Sequence, residues 1–175
     1  MLRLFLNDGL SRLSGSGDIM PVKENLTIES KGSGQPFNYA VGMYGSKFFK
    51  ELRENRKLLG VKCPKCGKVY VPPRRVCGEC FVEMTEFVEV GPKGVIGTFT
   101  SLRYAFIDPE TGEQKPVPYG YGFIRFDGAD TLFQHYISIE DESKIKIGAR
   151  VEPVFSEERK GNVKDILYFK VIDSE

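Results

Sequence analysis

Apolar and polar residues alternate with period two through the second half of the chain. The pattern runs through EFVEV (86–90), VIGTFTSLRYAF (95–106), YGYGFIRF (119–126), TLFQHYISI (131–139), RVEPVF (150–155) and DILYFKVI (165–172). These segments are rich in β-branched and aromatic residues, which predicts strands. Gly91-Pro92-Lys93-Gly94, Asp127-Gly128 and Lys160-Gly161-Asn162 supply turns between some of them. Five to six short strands without a competing helical pattern predict a small closed barrel. ESKIKIGARVEPVF has the form of its last-but-one strand, entered through a glycine turn.

Upstream the period changes. KFFKELRENRKLL (47–59) places Phe48, Phe49, Leu52 and Leu59 on one side and Lys and Arg opposite, the mark of an amphipathic helix. Ser46 is the expected N-cap and Gly60 the expected stop. A ribbon follows over about 61–85, where Pro72 and Pro73 exclude helix and hold the connection extended. Residues 1–36 are polar and rich in Gly and Ser, and read as a tail. Phe37, Tyr39, Val41, Met43 and Tyr44 then form an aromatic arm, too short for a core of its own. It packs either on its own domain or on a partner; exposed apolar groups mark a contact only where they are contiguous. The predicted organisation is an N-terminal arm (1–45), a helix plus ribbon (46–85) and a barrel (86–175).

Composition narrows the class. The chain has 175 residues, with 41% hydrophobic and 28% charged, as in a globular protein with a real core. Its 25 Lys plus Arg nearly balance 24 Asp plus Glu, and a net charge of +1 argues against a life on nucleic-acid phosphates. No apolar run reaches the roughly 20 residues of a membrane span. Leu4, Phe5 and Leu6 are followed at once by Asn7, Asp8 and Gly9, so no signal peptide is expected. Met20, before Pro21, is an alternative to Met1 as the native start.

All four cysteines lie in two CxxC pairs, Cys63-Pro64-Lys65-Cys66 and Cys77-Gly78-Glu79-Cys80, with ten residues between the inner two. Each pair can aim two thiolates at one metal from a tight turn. Two such turns make a tetrahedral four-sulfur site suited to structural zinc; iron takes the same ligand set. Gly67 and Gly78 are expected to supply left-handed turn residues. Two disulfides, or redox use of one CxxC, are the alternatives, and the absent signal peptide and absent βαβ context weigh against them. A reducing, cytoplasmic setting is therefore expected.

Catalytic chemistry is scarce. The one histidine, His135, lies mid-strand on the face of Phe133 and Ile137, more consistent with packing than with acid–base work. There is no GxSxG, no HExxH and no phosphate-cradling loop. If a metal takes all four cysteines, no thiol nucleophile remains. Lys57, Lys62, Lys65, Lys68, Arg74 and Arg75 cluster about the ribbon. They form either a solvated face that screens an anionic metal centre or a patch that meets phosphates.

The order of these parts resembles a known family. The carrying residues are Cys63, Cys66, Gly67, Tyr70, Pro72, Pro73, Arg74, Cys77 and Cys80, followed by Gly91, Gly94, Thr100, Pro118, Tyr119, Gly148, Val151 and Phe155. Over about residues 46–172 the chain is similar to the zinc-ribbon plus OB-fold proteins encoded beside thiolases and related acyl-CoA enzymes; the PPR between the CxxC pairs is the most specific part. That family often has a Trp in the helix; here Phe48 or Phe49 takes its place. The resemblance implies a mainly β fold: an N-terminal arm and helix, a rubredoxin-like zinc ribbon and a C-terminal OB-fold barrel. It implies a non-catalytic subunit of a hetero-oligomer with a thiolase-fold enzyme, structural Zn2+ on Cys63, Cys66, Cys77 and Cys80, and contact with coenzyme A or an acyl-CoA. Lys68, Arg74, Arg75 and Tyr119 are the candidates for meeting CoA or the partner, and Phe37, Tyr39, Met43 and Tyr44 for an arm that binds the partner. The arm FNYAVGMYGSKFF looks like the subgroup paired with thiolases of aromatic degradation, such as benzoylsuccinyl-CoA thiolase. Two other classes compete: a nucleic-acid-binding ribbon and barrel, and a stand-alone small-molecule enzyme using His135.

Overall fold

The computed structural model describes residues 27–30, 37–107, 112, 114, 116–140 and 142–172. The chain begins with an antiparallel hairpin of β1 (Thr27–Ser30) and β2 (Phe37–Ala40). The first of these strands falls inside the segment expected to be tail. Helix α1 (Gly42–Asn55) follows, then β3 (Leu58–Lys62), β4 (Val69–Tyr70) and β5 (Glu86–Val90) of the ribbon. Strands β6 (Gly94–Leu102), β7 (Tyr119–Phe126), β8 (Phe133–Ile137), β9 (Arg150–Phe155) and β10 (Ile166–Val171) complete the order.

The helix is displaced from its expected span. It starts at Gly42, with Val41 before it and no side-chain cap, and Ser46 is a buried residue inside it rather than the N-cap. It ends at Arg56, whose φ of 56° turns the chain left-handed while Arg56 N–H and Lys57 N–H bond the carbonyls of Leu52 and Glu51. Leu58 and Leu59 are thereby released into β3, where five register pairs to β5 outweigh one more helical turn. Gly60, expected as the helix stop, is a strand residue. A Cβ there would lie 2.6 Å from Val69 Cγ1, so glycine permits β4 to approach β3.

Glu86–Val90, expected as a barrel strand, pairs with β3, giving a three-stranded ribbon sheet in the order β4-β3-β5. The barrel closes with five strands in the order β10-β8-β7-β6-β9. β6, β7 and β8 form an antiparallel meander, β10 lies parallel to β8, and β9 joins β10 to the start of β6. A bulge between Ile96 and Thr98 lets the long β6 bend so that it serves two neighbours. Left-handed Gly148 (φ 85°) forms the turn into β9, as the sequence predicted.

One hydrophobic core joins these parts. Phe48 and Leu52 of the helix and Leu58, Leu59 and Val90 of the ribbon sheet are buried together with Ile96, Ile124, Phe126, Phe133, Val151 and Phe169 of the barrel. Polar links reinforce the seam. Arg159 Nε donates to the Arg53 carbonyl at the helix end (2.7 Å), and Thr131 Oγ1 accepts from Val71 N–H (2.7 Å) and donates to its carbonyl (2.9 Å). A second, smaller cluster of Val61, Cys63, Tyr70, Cys77 and Met84 lies under the cysteine turns.

Candidate metal centre

Each cysteine pair sits in a knuckle of the same build. In the first, Cys63 N–H bonds the Lys68 carbonyl (2.8 Å) and Gly67 N–H bonds the Cys63 carbonyl (2.9 Å). In the second, Cys77 N–H bonds the Val82 carbonyl (3.0 Å) and Phe81 N–H bonds the Cys77 carbonyl (3.1 Å). These turns aim backbone N–H groups at the sulfurs: Lys65 and Cys66 toward Cys63 Sγ (3.4 and 3.5 Å), Cys80 toward Cys77 Sγ (3.4 Å). A thiolate receiving such donors is stabilised as the anion a metal needs.

The left-handed residue of each knuckle follows its second cysteine. In the first it is Gly67 (φ 77°), as expected; in the second it is Phe81 (φ 55°), not Gly78. Gly78 is small for another reason: a Cβ there would lie 3.2 Å from Arg74 Nη2. Phe81 is 81% exposed, in a conformation that disfavours side chains with a Cβ. Sequence reasoning missed it, because only the hydrogen-bond phase of the knuckle identifies the left-handed position.

The donor set fits a tetrahedral metal ion. Metal–sulfur bonds of about 2.3 Å give tetrahedral sulfur–sulfur edges of about 3.8 Å. Cys66 Sγ and Cys77 Sγ are 3.8 Å apart, and all four sulfurs lie within 4.8 Å of one another. All four cysteines are free thiols, so the two-disulfide alternative does not describe this chain. The cluster is asymmetric: Cys63 and Cys77 are buried, Cys80 half-buried and Cys66 exposed. The Tyr70 hydroxyl, 3.3 Å from Cys77 Sγ, brings the Cys77 thiol down to about 6 against the opposing effect of burial. Burial, followed by the neighbouring sulfurs, pushes Cys80 up to about 12.

The basic residues around the ribbon are partly committed to neighbours. Lys68 pairs with Glu79, Arg75 Nε meets Glu83 at 2.9 Å, and Lys57 Nζ meets Glu89 at 2.6 Å. The Arg74 guanidinium lies over the Tyr70 ring, 3.9 Å from its centroid. Tyr119 is on the outer face of the barrel, with its ring 5.8 Å from Tyr136, which also contacts Tyr121 (5.1 Å). Of the arm residues, Tyr44 belongs to α1 and packs on its own ribbon: its hydroxyl donates to the Met84 carbonyl (2.6 Å) and its ring stacks on Phe87 (5.4 Å). Met43 is half-buried in the same helix, Tyr39 is exposed on β2, and Phe37 opens that strand.

His135 points into the barrel and is 5% exposed. Its ring is parallel to Phe133 (5.9 Å) and edge-on to Phe169 (5.6 Å). Its Nε2 lies 3.2 Å from the Val163 carbonyl, which can only accept, so that nitrogen carries the proton. This is a packed core histidine.

These features define the class: a rubredoxin-like ribbon with a four-cysteine metal centre, fused to a five-stranded OB barrel. Comparison with known proteins agrees. The chain matches the rubredoxin-like zinc ribbon domain of ChsH2 over residues 50–85 and the C-terminal OB-fold domain of ChsH2 over residues 87–156. A DUF35 domain-containing scaffold protein of Methanocaldococcus jannaschii is 31% identical over 109 residues, which cover 61% of this chain and 73% of the relative. A second, from Methanothermobacter thermautotrophicus, is 28% identical over 113 residues, 63% of this chain and 80% of the relative. Among solved structures, a DUF35-family protein of unknown function from Sulfolobus solfataricus superposes with a TM-score of 0.56 at 27% identity, covering 75% of this chain and 87% of that one. The Ltp2-ChsH2(DUF35) aldolase superposes with a TM-score of 0.55 at 18% identity, covering 76% and 98%, and supports the fold. The chain belongs to the DUF35 family of zinc-ribbon and OB-fold proteins.

Proposed function

We propose that this protein is a non-catalytic accessory subunit of an acyl-CoA enzyme of the thiolase fold. Its ribbon holds a structural zinc ion on Cys63, Cys66, Cys77 and Cys80, and the partner carries the reacting residues. The observation that carries the reading is the commitment of the chain's own reactive groups. All four thiols converge on one metal site, and the single histidine is packed inside the barrel. The description of its relatives as scaffold proteins, and of a structural neighbour as a ChsH2-containing aldolase, supports a role in assembly. In this reading the partner cleaves or condenses a 3-oxoacyl-CoA, and the arm resemblance favours a substrate from anaerobic aromatic degradation.

Two exposed apolar groups support a partner surface. Phe81 projects from the second knuckle, and Tyr104, Phe106 and Ile107 project from the segment after β6, with Tyr104 79% exposed. Lys68, Arg75 and Tyr119 keep accessible surface that can meet CoA or the partner, and Tyr39 does the same on the hairpin. The test is reconstitution with a thiolase-fold acyl-CoA enzyme from the same organism. The two should elute as one complex, and thiolysis should fall at least tenfold when this chain is omitted. A partner that is fully active alone, and does not co-elute, would refute the proposal. Nucleic-acid binding is a separate outcome, read by fluorescence anisotropy with single-stranded DNA and RNA at low salt.

A further inference from the structure

Tyr70 and Arg74 flank Pro72 and Pro73 in the segment that runs past the metal site, yet neither is a metal ligand. The Tyr70 hydroxyl is buried against Cys77 Sγ at 3.3 Å. The Arg74 guanidinium stacks on the same ring, 3.9 Å from its centroid. Gly78, inside the second CxxC, leaves the space this requires, since a Cβ would lie 3.2 Å from Arg74 Nη2 and 3.8 Å from Nη1. Three residues from two segments thus build one arrangement around one sulfur. A divalent ion on four thiolates leaves two negative charges on the sulfurs. Donors to a sulfur and a nearby cation disperse that charge, and such outer partners tune the metal site. A cation on the ring face draws electron density from the phenol and makes its O–H a stronger donor.

We infer that Tyr70 and Arg74 act in series as positioning residues for the metal: Arg74 polarises the Tyr70 hydroxyl, Tyr70 quiets the Cys77 sulfur, and exposed Cys66 is left as the reactive corner of the site. This inference does not depend on what the partner enzyme is. Arg74, which the sequence offers for contact with CoA or a partner, is exposed and also makes this contact within its own ribbon. It also orders the four sulfurs by reactivity: Cys66 is exposed, whereas Cys77 is buried and receives both the Tyr70 hydroxyl and the Cys80 N–H.

The experiment uses the zinc-loaded full chain and its cobalt-substituted form. Iodoacetamide is the probe: a thiolate sulfur displaces iodide, forming one C–S bond and releasing the metal it held. Digestion and mass spectrometry should find Cys66 alkylated first. Tyr70→Phe keeps the buried ring and removes only the hydroxyl. It should weaken zinc affinity about tenfold in competition with a chelator. It should also shift the sulfur-to-cobalt charge-transfer band to longer wavelength and bring Cys77 into the early alkylated set. Arg74→Met should move the same three readouts less, and should add nothing in the Tyr70→Phe background, because it acts through the hydroxyl. The inference is overturned by unchanged affinity, band and alkylation order in Tyr70→Phe, or by an Arg74→Met effect that persists undiminished in the double variant. Arg74→Met leaves the core untouched and reads the same band, so an unchanged band in that variant also overturns the serial action should Tyr70→Phe fail to fold.

Discussion

Leu52 sits where helix, ribbon sheet and barrel meet. Its side chain is fully buried in the core it shares with Leu58 and Val90 of the ribbon sheet and Ile96 and Phe133 of the barrel. Leu52→Ala removes three carbons from a site whose neighbours belong to different elements and cannot all close in. Such truncations cost about 3 kcal/mol, within a range of about 2–5. For a chain of this size that corresponds to a fall of roughly 6–12 °C in Tm. The assay is thermal and urea unfolding of the zinc-loaded protein with two probes. Backbone amide signals of α1 follow the helix, and those of β7 and β8 follow the barrel. Because one core spans all three parts, both signals should shift together. A variant that loses its helix early while the barrel transition stays at the wild-type temperature would refute the shared core.

Three smaller perturbations test other parts of the scaffold. Asp165 is buried, and its two carboxylate oxygens accept from Lys160 N–H and Gly161 N–H, both at 2.8 Å. Asp165→Ala strands those donors and should cost about 2–3 kcal/mol in urea denaturation. Gly60→Ala pushes a Cβ to 2.6 Å from Val69 Cγ1 and should cost about 1–3 kcal/mol, with altered hydrogen exchange at the β3–β4 pair. Asp127 accepts both Arg150 Nη1 and Nη2 at 2.7 Å, and that guanidinium holds its carboxyl below the usual carboxylate value. A lowered folded value means the stabilisation is present above the unfolded value near 4 and is lost as pH falls through the folded one. Asp127→Asn should therefore lower stability by at most about 1 kcal/mol at neutral pH, the pair being surface-exposed, and match the wild type at the acid limit. Urea midpoints across the pH range decide it.

Local signals in the sequence were readable because their physics is local. The CxxC spacing carries the metal geometry within each turn, and the period-two pattern carries the strands of the barrel. Long-range choices were not readable in that way. EFVEV alternates like any barrel strand, and only the structure shows that it pairs with Leu58–Lys62 and not with a barrel strand. The helix pattern runs on through Leu59, but sheet pairing at Leu58 takes precedence and Arg56 absorbs the left-handed turn. Gly60 reads as a helix stop and Gly78 as a turn residue, whereas each makes room for another part of the chain, Val69 and Arg74. A glycine needed for space and one needed for positive φ are identical in sequence; only the contact separates them.

The two hydrophobic clusters set what metal removal should do. The large core holds the helix, the base of the ribbon and the barrel without any metal ligand. The small cluster under the knuckles has five buried residues, and two of them, Cys63 and Cys77, are themselves candidate ligands. The remaining apolar side chains, Val61, Tyr70 and Met84 with half-buried Tyr44 and Val82 against them, are too few to offset the entropy of ordering the knuckles, at about 1–2 kcal/mol per residue. The metal must supply the difference, as it does in small metal-dependent modules. Stripping zinc with a chelator, or replacing Cys77 with Ser, should therefore unfold the ribbon tip over about residues 63–84 and leave the barrel folded. Hydrogen exchange checks this directly. Amides of Gly67, Cys77 and Met84, which close the knuckles through backbone bonds, should lose protection, while β7 and β8 keep theirs. If barrel amides lose protection at the same chelator concentration, the two clusters are one cooperative unit and this division is wrong.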